Sequence, residues 1–445
     1  MKKIFRSGLW GMGLAAVLIV VAAASCRRAG PGLYLAAAEK AAAWIRASAV
    51  EVPGGQAWPA VPSEPGSVSF DLYSGVPGVV LFFVQAFHTT GDASYLPDAR
   101  RGADLLLSVL ADVQGTGLYA GLSGVALALE ETFKATKDGR YRRGFLDGLE
   151  RIRSAAYEAG AGIEWSATTD IISGNAGTGL FLLYAFRETG DRTWLDLALR
   201  AGDRLVELGR PEDGGLKWAM DPDFPRLMPN FSHGTAGIAY FLAALFKETK
   251  RPGFLDAALA GARYLLSVAK TEADVCLVFH DEPDNKDLYY LGWCHGPVGT
   301  ARLFFVLWEV TGDRSWFDWV RRAANGLVAS GLPEAETPGF WNNAGICCGL
   351  AGVGEFFLDL YGAWGDRSDL AFAERVAVRL LAKATVGEGK MSWVQAEHRT
   401  RPDLLLAQTG YMQGAAGIGT FLLRLAAVGR PRTVRIVLPD TPYVR

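Results

Sequence analysis

One phrase returns seven times along the chain, and it constrains the fold more than any other feature. It reads "LYSGVPGVVLFFVQAF" at 72, "LYAGLSGVALALEETF" at 118, "IISGNAGTGLFLLYAF" at 171 and "NFSHGTAGIAYFLAAL" at 230. It continues as "GWCHGPVGTARLFFVL" at 292, "GICCGLAGVGEFFLDL" at 345 and "GYMQGAAGIGTFLLRL" at 410. Each copy holds a GxxG pair followed by a nearly uninterrupted apolar run: Gly75/Gly78, Gly121/Gly124, Gly174/Gly177, Gly234/Gly237, Gly296/Gly299, Gly349/Gly352 and Gly414/Gly417. One GxxG means little. Seven of them, 46 to 65 residues apart, are a repeat architecture.

The segments between the copies, such as "RTWLDLALRAGDRLVELG" and "RSWFDWVRRAANGLVASG", place apolar residues at spacings of three and four with charges on the other face. Several open on a Gly-Asp or Asp-Arg cap signal. Counting "LYLAAAEKAAAWIRA" near residue 34 and "DLAFAERVAVRLLAK" near 369, there are seven of these too. Helices apolar all round belong inside and one-sided helices outside. The expected fold is therefore all-α: an α/α toroid, a double barrel of seven inner and seven outer helices. It would span residues 33–430 as one domain, followed by a tail over 431–445. The GxxG glycines would sit at the inner-helix N-termini, all at one end, where glycine permits a tight turn and close backbone approach. Function is expected in the loops at that end.

Half of the residues are hydrophobic, ample for so large a core, and the formal net charge is −2 with no basic tract, which argues against a nucleic-acid partner. Residues 1–26 form a targeting segment. Lys2, Lys3 and Arg6 make a charged start, "GLAAVLIVVAAAS" an apolar centre, and Cys26 follows small residues. This layout resembles a bacterial lipoprotein signal, with Cys26 as the lipidated first residue. The expectation is a membrane-attached lipoprotein whose toroid lies on the extracytoplasmic side. The alternative is an uncleaved anchor, since Leu9 to Ser25 is at the short limit for a spanning helix.

Chemistry is suggested by Cys347 and Cys348, side by side in a chain with five cysteines. Adjacent Cα atoms lie about 3.8 Å apart, short of the roughly 5.5–6 Å an unstrained disulfide prefers. The pair reads either as two small buried hydrophobes or as two thiolate ligands for a soft metal. At this level both readings stand.

The seven GxxG repeats, together with "FSHGTAG" (231–237), "GWCHGPVG" (292–299) and "CCGLAG" (347–352), resemble the lanthionine synthetase C-like proteins over nearly all of the chain after residue 33. That resemblance implies a zinc ion (Zn2+) at the toroid mouth, held by Cys294, Cys347 and Cys348, with a fourth position open as in catalytic zinc sites. It implies addition of a thiol to a dehydroalanine or dehydrobutyrine residue, with His233 as acid/base and Asp170 as its partner. The substrate would be an already dehydrated peptide or a small thiol, and a monomer is expected. The cyclases carry an arginine where this chain has Tyr290, which removes a possible enolate stabiliser. His295 follows Cys294, but the family does not use that position for metal. A non-catalytic zinc-containing peptide- or thiol-binding lipoprotein is the alternative. A glycan-active toroid is a further one, for which Asp170, Asp281, Glu282 and Asp284 are the available carboxylates. His88, His280 and His398 have no evident partner, and Cys276 reads as a buried thiol. Trp58, Trp165, Trp218, Trp341 and Trp393 precede inner helices and read as loop packing rather than as a peptide groove.

Overall fold

The computed structural model describes residues 30–443 apart from 213, 222, 224, 225 and 431–433. Cys26 and the targeting segment lie outside the described residues. Fourteen α-helices run through the described chain and alternate between two layers, numbered here in chain order. The inner layer is α2 (Val76–Thr90), α4 (Leu122–Thr136), α6 (Asn175–Thr189), α8 (Thr235–Thr249), α10 (Pro297–Thr311), α12 (Leu350–Trp364) and α14 (Ala415–Ala427). The outer layer is α1 (Pro31–Ala47), α3 (Leu96–Val109), α5 (Gly139–Ala155), α7 (Arg192–Leu208), α9 (Pro252–Val268), α11 (Arg314–Ala329) and α13 (Arg367–Lys383).

Burial follows the apolar pattern. Positions 235–245 of α8 are buried on every face, whereas α7 buries one stripe: Trp194, Leu195, Ala198, Ala201, Gly202 and Leu205. Each inner helix packs on the outer helix that follows it, and inner neighbours touch all the way round. One pair breaks chain order: α14 packs against α1, so the first outer helix completes the last unit and closes the ring. Four outer helices, α5, α7, α11 and α13, are capped by Asp138, Asp191, Asp313 and Asp366, each accepting a backbone N–H two residues on.

Five two-stranded antiparallel hairpins, which periodicity did not reveal, decorate the loops that lead from outer to inner helices. Among them are β3–β4 (Tyr157–Ala159, Gly162–Glu164) and β5–β6 (Arg210–Glu212, Gly215–Lys217). The loop tryptophans explain how such connections are tied down. The indole N–H groups of Trp165, Trp218 and Trp393 donate to the carbonyls of Ile152, Leu205 and Leu380, at 2.7, 2.6 and 2.9 Å. These carbonyls belong to the last turns of outer helices, where four acceptors have no partner within the helix. The packing reading holds for these three side chains. Trp341 differs, and belongs with the site.

The GxxG glycines have a common cause. The first is the N-cap of every inner helix, in extended or near-extended backbone. A Cβ on the second would lie 1.8–2.7 Å from the carbonyl oxygen of the turn's first residue in all seven copies. What the repeat requires is close approach rather than left-handed backbone. Packed this tightly, the turns bond to one another in a circuit. Tyr73 N donates to Tyr119 O, Tyr119 N to Ile172 O, Ile171 N to Ser232 O and Ser232 N to Cys294 O. Trp293 N then donates to Cys347 O, Cys347 N to Met412 O, and Met412 N back to Tyr73 O, at 2.7–3.2 Å throughout. Seven turns form one hydrogen-bonded ring around the mouth.

Candidate metal centre

Two of the three cysteines in question occupy the same place in successive turns. Cys294 and Cys347 each stand two residues before an N-cap glycine, and Cys348 one residue before it. The ring bonds from Trp293 and Cys294 N–H to Cys347 O hold these turns together. The sulfurs are consequently close: Cys294 Sγ lies 3.1 Å from Cys348 Sγ, Cys348 Sγ lies 3.5 Å from Cys347 Sγ, and all three fall within 4.8 Å of one another. All are free thiols, two of them buried and Cys348 half-buried. Among the described residues this is the one cluster of three metal-ligating side chains so close together.

The group fits a thiophilic metal. Tetrahedral sites with metal–sulfur bonds of about 2.3 Å space their sulfurs by about 3.8 Å, close to what the chain already holds. Electrostatics point the same way. Burial opposes ionisation of Cys347, but hydrogen bonds from Cys294, Cys348 and Tyr73 prevail and bring its thiol well below the ordinary range. Burial and Cys347 push Cys294 up against the opposing bond with Cys348, and hydrogen bonds with Cys294 and Cys347, with burial, push Cys348 up. One thiolate forms readily; three need a bound cation.

Cys294 and Cys347 line a cavity of about 360 Å³ that also takes in Tyr73, Ser232 and His233. His233 stands one residue before Gly234, on the turn preceding that of Cys294. Its Nδ1 is 2.6 Å from Asp170 Oδ2. Asp170, almost fully buried, also accepts the backbone N–H groups of Ser173 and Gly174, both at 2.8 Å, through Oδ1. The carboxylate is thus locked into its own turn while reaching across to the next. Burial alone would lower the His233 pKa; the hydrogen bond and charge of Asp170 overcome it, and the net direction is upward. The structure therefore brings together all five site residues expected within the described chain.

It also gives surroundings to residues the sequence had left outside the site. His280, expected to have no partner, has its Nδ1 2.5 Å from Asp281 Oδ2. Asp281 is fully buried and accepts from Asn285 Nδ2 at 2.9 Å. The His280 ring packs at a tilt against His295 (4.4 Å between centroids) and Tyr290 (4.2 Å), and the His295 ring lies 5.5 Å from that of His233. Tyr290 packs in turn on Trp341, 5.1 Å away. Trp341 donates to Ala396 O at 2.9 Å, tying the loop to the hairpin β9–β10 (Val394–Ala396, Leu405–Ala407). A continuous aromatic wall thus flanks the thiols, anchored by a buried carboxylate at His233 and another at His280. The Arg399 guanidinium, from the β9–β10 loop, reaches the Tyr290 phenol and opposes the rise that burial imposes on it. A histidine–carboxylate pair outside the repeats leaves no periodic signal; only the adjacency "HD" at 280–281 hints at it.

Fold and site together define a class: a closed α/α toroid with, at its mouth, three thiols close enough to share a metal ion. The chain belongs to the lanthionine synthetase C-like family, whose model matches residues 66–438. No curated protein matches the sequence. Among solved structures it is similar to nisin cyclase, with a TM-score of 0.60 at 16% identity, covering 88% of this chain and 92% of that one. It is also similar to the Lin0763 protein from Listeria innocua (0.51, 15% identity, 89% and 97% covered). A GH76 α-mannanase from Bacteroides thetaiotaomicron shares the fold less closely (0.50, 12% identity, 89% and 96% covered).

Proposed function

We propose that this protein binds one zinc ion through Cys294, Cys347 and Cys348 and adds a thiol to a dehydroamino acid in a peptide, forming a thioether. The observation that carries the reading is the meeting, on one cavity, of two of three clustered thiols with a histidine held by a buried carboxylate. When bound, zinc would lower the pKa of a substrate thiol so that it is a thiolate at neutral pH, where free thiols of pKa near 8.5 are mostly protonated. The protein's own residues have two tasks. The reaction breaks an S–H bond and forms an S–C bond and a C–H bond, so one proton must leave sulfur and one must reach the enolate carbon. His233, its Nδ1 toward Asp170, has Nε2 free to take the first and return the second. Burial of Cys294 and Cys347 strengthens every charge interaction at the centre.

Family membership and the likeness to nisin cyclase support this reading. The glycan-active alternative has less support. Asp281 is held by His280 and Asn285, Glu282 by Lys217 and Lys286, and Asp284 by Arg226, so none of the three is a free carboxylate. One observation favours the non-catalytic alternative, the tyrosine at 290 in place of an arginine, and Arg399 beside it weakens that case. The test is metal analysis of the purified chain followed by a thiol-to-dehydroalanine addition assay on a dehydrated peptide. One equivalent of zinc with addition well above that of free zinc–thiolate complexes is expected. Zinc without turnover would establish the binding reading, and a chain that takes no zinc would end both.

We further propose that Cys26 is lipidated and holds the protein at a membrane. Among the described residues no helix is long and apolar enough to cross one.

A further inference from the structure

The bore of the inner barrel is not empty: the C-terminal segment enters it. Residues 434–443 start beside α2, where Gln85 Nε2 donates to Val434 O (3.1 Å) and Gln85 Oε1 accepts from Ile436 N (2.8 Å). Arg435 then pairs with Asp359 of α12 at 2.9 Å. Gln85 and Asp359 are both about ten residues, or ~15 Å, into their helices, so the segment enters from the end opposite the mouth. It climbs toward the mouth, and a turn closed by Thr441 N–H to Leu438 O (3.0 Å) sets Asp440 at its tip. Tyr443 then packs against Phe305 and Phe356, at 4.6 and 6.1 Å.

Asp440 is fully buried, and its contacts are specific. Its Oδ2 accepts from Arg302 Nη1 at 2.7 Å and from the indole N–H of Trp293 at 3.1 Å. Arg302, on α10, also donates to the Asp440 carbonyl at 2.8 Å and lies over the ring of Phe231. Trp293 packs edge-on against Phe231 and Tyr119, at 5.7 and 5.1 Å. These partners are neighbours of the site: Trp293 precedes Cys294, and Phe231 stands two residues before His233. One carboxylate from the tail thus braces, from below, the turns that carry a metal-ligating sulfur and the histidine.

We propose that Asp440 is a positioning residue for the metal centre: tail docking in the bore holds Trp293, and through it Cys294, in place for the three-thiol cluster. The inference rests on the zinc reading above but is tested separately from it. Partners lying outside the ligand set typically contribute about 10–100-fold to metal affinity. In the full chain, Asp440→Asn and Trp293→Phe should weaken zinc binding about 10-fold in a chelator competition and shift the thiolate charge-transfer bands of the cobalt-substituted protein. Tyr443→Ala is the control. It removes comparable tail packing without touching Trp293, so it should lower the melting temperature and leave affinity and cobalt spectrum alone. Wild-type affinity and spectrum in Asp440→Asn would overturn the proposal, as would an equal loss in Tyr443→Ala. If the wild type takes no zinc, the zinc reading fails and alkylation of the metal-free chain still decides this one: Asp440→Asn should speed iodoacetamide labelling of Cys294, and an unchanged rate refutes it.

Discussion

Replacing Asp170 separates chemistry from stability, because its two oxygens serve different partners. Oδ1 accepts the buried amide of Gly174 and the amide of the exposed Ser173, and Oδ2 faces His233 Nδ1. Asp170→Ala abandons all three. The unsatisfied buried amide of Gly174 costs about 1–3 kcal/mol, while that of Ser173 can turn to water, and the charge-assisted bond costs about 1.5–3 kcal/mol more, for roughly 2.5–6 kcal/mol in total. Asp170→Asn keeps a carbonyl for the two amides and turns an N–H₂ toward His233, whose Nδ1 must then accept. The loss is the difference between a charged and a neutral hydrogen bond, about 1–2 kcal/mol. The asparagine variant should therefore fold nearly as well as wild type. It should nevertheless add thiols about 10²–10⁴-fold more slowly, because the imidazole carries its proton on the wrong nitrogen and has lost the charge that raises its pKa. Its pH–rate profile should show the histidine limb displaced to lower pH, since burial, which lowers the pKa, is then opposed only by the charge of Cys347. Zinc content should stay at one equivalent. Denaturant unfolding, metal analysis and the addition assay on the same preparations supply every number. An Asp170→Asn enzyme within threefold of wild-type rate would refute the reasoning, and so would parallel loss of zinc and rate.

Alanine at Cys294, Cys347 or Cys348 should abolish stoichiometric zinc, whereas His295→Ala should retain it; full retention in Cys348→Ala would remove that residue from the ligand set. Gly292→Ala should weaken zinc binding at little distance from the sulfurs, because its Cβ would stand 2.6 Å from Cys347 O and from Cys348 Cα, whereas Gly253→Ala, with nothing within 4 Å, should change neither affinity nor stability by more than about 0.5 kcal/mol. Cys26→Ser should block labelling by a fatty-acid analogue and processing at that position; an unlabelled wild-type chain that keeps its first methionine would mean an anchor or no lipid at all.

The helices and their layering could be read before any coordinates, because inner segments such as 235–245 are apolar on every face and outer ones such as 192–208 on one. The cysteines were legible for a related reason: a repeat fixes where each turn sits, so residues at matching positions of neighbouring turns must lie close. The pairing of His280 with Asp281 escaped notice because both belong to a loop between copies, where no periodicity ranks one histidine above another. The tail was illegible on different grounds. Its apolar and charged residues show no pattern, and what places Asp440 is a cavity built by seven distant helices. Side chains that satisfy neighbours in sequence leave a local trace; those that satisfy a shared interior do not.

Closure through α1 and α14 has a consequence for how the molecule is made. Most contacting helix pairs join segments a few tens of residues apart, but this one waits for chain ends separated by some 380 residues. Loop-closure entropy adds about 0.6 kcal/mol per doubling of length, so the pair begins about 2 kcal/mol behind a neighbour pair 50 residues apart, and its contacts are slow to form. Six repeats can assemble as an open arc while the seventh is still being synthesised. The gap falls where the turn of Met412 hands its hydrogen bond to Tyr73, next to the Cys347 turn. A nascent or nicked chain is therefore an arc with a loose edge beside the thiol cluster, and the thiols reach their final spacing only when the two ends of the polypeptide find each other.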